Sequence, residues 1–279
     1  MTHPSTPIRV AAGAATDIGL RRSINEDAHI AASPLFLVAD GMGGHQAGEL
    51  ASATVIEEFA TLAGRPSLDI DDLHMALSRA RTRVRSLPLP PGAGAGTTLS
   101  GVVIADVDGD GYWLTINLGD SRTYRFSGGV LEQISVDHSV VQELIDSGEL
   151  DAAAASSDSR RNVITRAIGA GSHAEPDYWL LPAEEGDRML VCSDGLTGEL
   201  DRQRIGEILG AEPDPQAAAT RLVHEAMLHG GRDNITALVV DAIAVDSREG
   251  RDLHDTLPLA VRDEVDEDTL PRAGVGGNR

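Results

Sequence analysis

Four aspartates in this chain share one local grammar. Asp40 follows the apolar run Leu35-Phe36-Leu37-Val38-Ala39 and precedes Gly41. Asp120 follows YWLTINL and Gly119, and Asp194 follows MLVCS and precedes Gly195. Asp233 sits in Gly230-Gly231-Arg232-Asp233-Asn234, immediately before ITALVV. Each is a carboxylate at the end of an apolar strand beside glycine, and one such residue alone is ordinarily a turn. If the strands pack into one core, their ends converge and the carboxylates gather at one rim. Several like charges cannot share a small volume unless they are protonated or bridged by cations. An all-oxygen donor set selects magnesium, manganese or calcium over zinc. The glycines after Asp40 let the backbone turn sharply and bring carbonyls close to such an ion.

The totals bound what else the chain can do. Its 279 residues suffice for one large domain or two small ones, and a hydrophobic content of 41% is compatible with a packed core. The formal net charge is -21, which argues against a nucleic-acid or anionic-membrane surface. Every basic residue is arginine. The lack of lysine removes a Walker-type phosphate loop, a Schiff-base lysine and a catalytic ammonium together. The single cysteine, Cys192, cannot form an internal disulfide. No run approaches the roughly 18 apolar residues of a membrane span, and the N-terminus lacks the regions of a signal peptide. The expectation is a soluble cytoplasmic protein.

The elements that must position the aspartates follow from period and punctuation. Residues 8–15 and 35–39 read as strands, with a turn at 16–19 between them. Residues 48–64 and 73–85 read as helices, and 88–96 as a proline- and glycine-rich loop. The period then becomes two. Residues 98–107 and 112–118 form one hairpin across 108–111, and 122–126 with 130–134 another across 127–129. A short helix spans 139–147 and closes at Gly148, and 150–171 reads as a mobile excursion. A strand at 188–193, helices at 203–209 and 215–229, and a strand at 235–240 complete the chain. Strands grouped with helices, without regular βαβ alternation, favour an α+β fold with stacked antiparallel sheets. Residues 1–245 then form one domain, and 246–279 a charged, disordered tail.

The chain resembles the metal-dependent serine/threonine protein phosphatases of the type 2C family, in their bacterial form. The matching pieces run in order over about residues 8–242. They are Gly19-x-x-Arg22-x-x-Asn25-Glu26-Asp27, Asp40-Gly41-Met42-Gly43-Gly44-His45, Gly96-Thr97-Thr98, Gly119-Asp120-Ser121-Arg122, Asp137-His138-Ser139, Ile164-Thr165-Arg166-Ala167-Ile168-Gly169, Ser193-Asp194-Gly195-Leu196 and Asp233-Asn234-Ile235-Thr236. Any one is weak; ordered and together they are specific.

The resemblance implies a two-sheet β-sandwich flanked by helices in α-β-β-α layers, with a binuclear manganese or magnesium centre at one end. Asp40 would bridge both ions and the Gly41 carbonyl would bind one. Asp194 and Asp233 would bind the other. Glu26 would act on the second ion through water, and Asp27 would support the ligand shell. Asp120, with Asp194, matches the position of a third, weaker ion. Arg22 matches the arginine that grips the substrate phosphate. A metal pair activates water near neutral pH and shields phosphoryl charge, and arginine offers a planar two-point grip. The expected reaction is direct in-line attack by a metal-bridging hydroxide on phosphoserine or phosphothreonine, without a phospho-enzyme. The expected partners are phosphoproteins, among them a serine/threonine kinase that the enzyme opposes. An alternative in another class is a pseudophosphatase, a metal-binding regulatory module; the complete carboxylate set and Arg22 argue against it. Where some family members carry a histidine general acid this chain has Met42, whose thioether cannot donate a proton. His45 or a metal-bound water could serve, so the general acid is unassigned.

Other features fit blander roles. Residues 106–111 match the start of a calcium-binding loop, but the twelfth position is Asn117 and the flanks read as strands, so a hairpin turn is favoured. Cys192 lacks the loop and arginine of a cysteine phosphatase and reads as core. Ser193 lacks the glycine flanks of a nucleophile elbow. His138 reads as a loop stabiliser. Arg160, Arg161 and Arg166 lie where the family has a flap, either solvated or facing a phosphopeptide. In the tail, Asp-Thr-Leu-Pro occurs at 255–258 and 268–271. That repeat is either chance or a motif for a phosphothreonine-reading module.

Overall fold

In a computed structural model the described residues are 6–43, 47–89, 94–151, 154, 158–160, 162–169 and 174–246. The strands in chain order are β1 (Ile8–Asp17), β2 (Asp27–Ala32) and β3 (Leu35–Met42), followed by helices α1 (Ala47–Ala60) and α2 (Ile70–Arg85). Then come β4 (Gly96–Thr97), β5 (Leu99–Val107), β6 (Asp110–Leu118), β7 (Arg122–Ser127) and β8 (Val130–Gln133). They are followed by α3 (Val140–Asp146), β9 (Ile168–Gly169), β10 (Asp177–Pro182) and β11 (Arg188–Cys192). Helices α4 (Asp194–Thr197), α5 (Arg202–Ala211) and α6 (Pro215–His229) precede the last strand, β12 (Ile235–Val245).

Two antiparallel sheets result. One has the order β1-β12-β11-β7-β8; the other runs β10-β6-β5-β3-β4-β9, with β2 also paired to β3. Strand alternation decides which way each apolar residue faces. Along β3, Leu35 and Leu37 pack with Phe59, Leu73 and Leu77 of α1 and α2. Phe36 and Val38 point the other way, into a layer shared with Met189, Val191, Leu238 and Val240 of the opposite sheet. On the far side Leu190, Cys192, Ala237 and Val239 meet Ile208, Leu222 and Ala226 of α5 and α6. This is the expected α-β-β-α stack, held by three apolar layers in which each large buried side chain contributes about 1.5–3 kcal/mol.

Local chemistry explains several boundaries. Helix α2 starts three residues before the expected Leu73 because Asp69 and Asp72 form a reciprocal capping box. The β5–β6 turn is tighter than expected: β6 already begins at Asp110, and Asp108 and Gly109, with φ of 55° and 90°, make the turn alone. That is a two-residue hairpin with the expected Asp-Gly signature, not a calcium loop. Strand β1 runs on to Asp17, past the expected turn at 16–19, because Thr16 and Asp17 pair with Thr236 and Ile235. Strands β2 and β10 carry no clean alternation and escape sequence reading; each is held by its neighbour, β3 and β6 respectively.

One expectation needs correction. The stretch 150–171 is not a free excursion throughout. Ile164 bridges Ser139, and Ile168–Gly169 pairs with Gly96–Thr97, so the C-terminal parts of the 88–96 and 150–171 stretches enter the larger sheet. The sequence signal for these two-residue strands is too short to register, and only the partner strand supplies it. Arg161, His45 and the tail repeats lie outside the described residues.

Candidate active site

The middle layer of the sandwich changes character at one end. The apolar side of β3, Phe36 and Val38, continues by period two to Asp40. The apolar side of β12, Leu238 and Val240, continues back to Thr236. Hydroxyls from both sheets line this end. Thr98 Oγ1 and Ser121 Oγ lie 2.8 Å apart, as do Thr16 Oγ1 and Thr236 Oγ1. Thr98 Oγ1 also accepts from the Asp40 N–H at 2.9 Å, and the Asp40 carbonyl accepts from Thr98 N–H and Thr97 Oγ1. The backbone of Asp40 is therefore pinned on both sides.

The carboxylates predicted from the sequence meet here. Asp27 faces Asp40 across the β2–β3 pair. Its Oδ2 accepts from Ser193 Oγ at 2.8 Å and from Thr236 Oγ1 at 2.6 Å. Asp194 opens α4 directly after β11, and its carboxyl hydrogen-bonds with that of Asp40. Asp120 arrives from the β6–β7 connection and Asp233 from the turn between α6 and β12. Both act electrostatically on Asp40. Arg22, on the irregular segment between β1 and β2, donates from Nη2 to Asp233 Oδ2 at 2.6 Å. Glu26 lies on the same segment. Its backbone carbonyl accepts from Gly41 N–H at 3.1 Å. Gly41 and Gly48 approach so closely that a Cβ on either would overlap the other's backbone or Glu26. Only glycine permits this contact, which sets the Gly41 backbone beside the Glu26 side chain.

Titration follows from crowding. Asp40, Asp27 and Asp194 keep some accessible surface, as groups in a cleft do, yet protein atoms surround their carboxyls. Burial raises Asp40 well above the usual carboxylate range, and Asp27, Asp194, Asp120 and Asp233 add to the rise. Asp27 is pushed up to about 7, first by burial and then by Asp194 and Asp233, against its two hydroxyl donors. Asp120 is also pushed up to about 7, by burial and then by Asp194 and Asp137. Asp194 and Glu26 are raised, both chiefly by burial; the hydrogen bond to Asp40 opposes the first and Arg22 the second.

The donor set fits divalent cations. Glu26 Oε1, Asp27 Oδ1 and Asp120 Oδ1 are buried and have no hydrogen-bond partner. A buried acceptor left unpaired costs about 1–3 kcal/mol, more when charged. Three such oxygens at one rim, all hard donors, suit magnesium or manganese and the waters they hold. Among the described residues no three acidic, histidine or cysteine side chains close into one ready-made ligand cluster. Asp233 accepts from Arg22, and Asp194 lies close enough to Asp40 and Asp233 for the three charges to act on one another.

Several residues that sequence reading passed over build the site. Ser193 and Thr236 hold Asp27, and Thr98 holds Asp40. Glu199, with a side chain only 3% exposed, accepts from Arg232 N–H, Nε and Nη2 and so ties the Asp233 turn to the end of α4. The signal was hydroxyl and acidic residues beside strand ends, too common to single out. His138 is buried, and it stabilises a loop as the sequence reading expects. Its Nδ1 accepts from Gly119 N–H and its Nε2 meets Asp177 at 3.0 Å, so it braces the turn that carries Asp120. Arg166 reaches Asp177, while Arg160 pairs with Asp158. Cys192 is a fully buried core residue.

Comparison with known proteins places this architecture. The family model described as protein phosphatase 2C matches residues 21–227. The chain is 37% identical over 267 residues to the serine/threonine protein phosphatase PstP of Mycobacterium tuberculosis (strain CDC 1551 / Oshkosh), covering 94% of this chain and 50% of that protein. It thus spans about half the length of that relative. It is 32% identical over 247 residues to the serine/threonine phosphatase stp of Listeria monocytogenes serovar 1/2a (strain ATCC BAA-679 / EGD-e), covering 85% of this chain and 97% of that one. A crystal structure of the catalytic domain of PstP in complex with two manganese ions superposes with a TM-score of 0.74 at 36% identity, over 84% of this chain and 99% of that one. The chain belongs to the protein phosphatase 2C family.

Proposed function

We propose that this chain is a cytoplasmic, metal-dependent phosphatase that hydrolyses phosphoserine and phosphothreonine in proteins, opposing a serine/threonine kinase that makes such esters. The observation that carries this reading is the convergence of Asp40, Asp194, Asp233, Asp120, Asp27 and Glu26 at one rim, with three buried carboxylate oxygens lacking donors. Asp40, the Gly41 carbonyl, Asp194, Asp233 and Glu26 would hold two manganese or magnesium ions, and Asp120 with Asp194 a third. When bound, such ions lower the pKa of a water nucleophile and neutralise phosphoryl charge.

The chain's own residues do the rest. Arg22 is half exposed at the mouth and presents guanidinium donors suited to two phosphate oxygens. Its bond to Asp233 aims it, so phosphate binds next to the carboxylates rather than elsewhere on an acidic protein. Asp27, locked by Ser193 and Thr236, fixes charge beneath Asp40. In hydrolysis a water oxygen forms the new P–O bond as the P–O bond to the serine or threonine oxygen breaks. That oxygen must then receive a proton. The Met42 thioether at the end of β3 cannot supply it.

The test is p-nitrophenyl phosphate and phosphothreonine-peptide turnover with manganese and after chelation. Manganese-dependent turnover is expected, with Arg22→Ala raising KM about tenfold and Arg22→Lys recovering part of it. A wild-type chain that binds manganese without turning over either substrate is instead a regulatory binding module.

A further inference from the structure

Asn234 follows the candidate ligand Asp233, and the function above gives it no task. Its side chain is buried, at 4% exposure. Oδ1 accepts from Glu26 N–H at 2.8 Å, and Nδ2 donates to the carbonyls of Ile18 and Ile24, each at 2.9 Å. Three of the four hydrogen bonds this amide can make thus go to a single segment. That segment, residues 18–26, lies between β1 and β2, has neither helix nor strand, and carries both Arg22 and Glu26. An irregular backbone needs partners for its polar groups, and one carboxamide supplies them at both ends of the loop.

Two further contacts tie the same loop to the same turn. Leu20 N–H donates to the Gly231 carbonyl at 2.6 Å. Gly19, at φ +80°, lies so close to the Asp233 carbonyl that a Cβ there would overlap it. Arg22 itself is more than a third exposed, so packing does not hold it. Its backbone position is what the loop can fix. Only a side chain that both accepts and donates at this length satisfies the three partners; aspartate would set a carboxylate oxygen against two carbonyls.

Resting on the phosphatase reading, we infer that Asn234 is a positioning residue for substrate phosphate: its amide holds the 18–26 loop so that Arg22 is aimed over Asp233. Asn234 does not touch the substrate, and its effect passes through Arg22. Small displacements of a binding group cost large factors in rate or affinity, which makes one buried amide consequential.

The test uses the full chain with manganese and p-nitrophenyl phosphate, with inorganic phosphate as competitive inhibitor. For Asn234→Ala, KM and the inhibition constant of phosphate rise about tenfold while kcat changes less than about threefold. In an Arg22→Ala background the same substitution adds less than about twofold, since the group it positions is gone. Amide exchange at Glu26 rises in Asn234→Ala, a readout independent of turnover. Full additivity of the two substitutions, or a loss confined to kcat, overturns the inference. If thermal unfolding shows that Asn234→Ala does not fold, Gly19→Ala displaces the same loop with Asn234 intact. A raised KM there supports the inference, and an unchanged KM in a folded Gly19→Ala protein overturns it. A wild-type chain without manganese-dependent turnover removes the phosphatase reading and this inference together. An active wild type with additive substitutions removes only this one.

Discussion

Asp27 stands directly opposite Asp40 in the antiparallel register of β2 and β3, so two carboxylates share one rung at the buried end of the sandwich. Like charges directly opposite destabilise a sheet. This pair is kept where Ser193 and Thr236 hold one Asp27 oxygen and leave the other, Oδ1, buried without a donor. Asp27→Asn preserves shape and removes the charge. Its manganese affinity, measured by titration calorimetry, is expected to weaken about tenfold or more. An unchanged affinity would take Asp27 out of the site.

Asp40 and Asp194 test function against stability. Asp40→Ala and Asp194→Ala are each expected to abolish turnover. Near-normal turnover in either, with metal bound, contradicts the assigned chemistry. Asp40→Asn relieves charge crowding, and in metal-free buffer it is expected to gain roughly 1–3 kcal/mol by chemical denaturation. A destabilised Asp40→Asn would mean that the aspartates do not repel one another in the folded chain.

The pH dependence of stability follows from the raised carboxyls. Asp27 and Asp120 sit at about 7, against roughly 3.9 in an unfolded chain. Between those values the folded state binds more protons than the unfolded one, so stability falls as pH rises from about 4 to 7 and stays low above it. The metal-free protein is expected to show a lower thermal midpoint at pH 8 than at pH 5. Manganese is expected to raise the midpoint more at pH 8, where it no longer competes with protons. Asp120→Asn should flatten part of the slope. A midpoint that climbs from pH 5 to pH 8 without metal would refute the crowded site.

Glu199 and Arg232 offer a test of how the two strand-end aspartates are kept in register. The Glu199 carboxylate takes three donors from Arg232, and Arg232 Nη2 also reaches the Gly198 carbonyl. Glu199→Ala leaves the backbone N–H of Arg232 without its acceptor and loosens the turn carrying Asp233 relative to α4. A loss of about 1–3 kcal/mol in stability and a manganese affinity several-fold weaker are expected. Arg232→Ala, at an exposed position, should be milder. Equal effects from the two would show the pair acting as a plain surface ion pair.

The residues of the candidate site were legible because their context is local. An apolar run, then aspartate, then glycine can be read without knowing where the strand goes, and the ordered motifs around Arg22, Asp40, Asp120, Asp194 and Asp233 carried the family. Hairpins with Asp-Gly or Gly-Gly turns were legible for the same reason: their stabilising contacts lie within a few residues; the Asp69 cap went unread, so α2 was expected to begin only at Leu73. Strands β2, β4, β9 and β10 were not, because each is stabilised by a partner distant in sequence.

By itself the amino-acid order determined the inventory: which carboxylates end strands, the single thiol, the absence of lysine, and the α+β succession of elements. Tertiary structure alone decided what surrounds each group. The resemblance gives Asp27 a supporting role in the ligand shell, but only the pairing of β2 with β3 sets it against Asp40. Asn234 reads only as a member of the Asp233-Asn234-Ile235-Thr236 motif, with no role, until the 18–26 loop lies across it. Burial, shared charge and hydrogen bonds between remote segments depend on distances through space, and a linear pattern does not carry them.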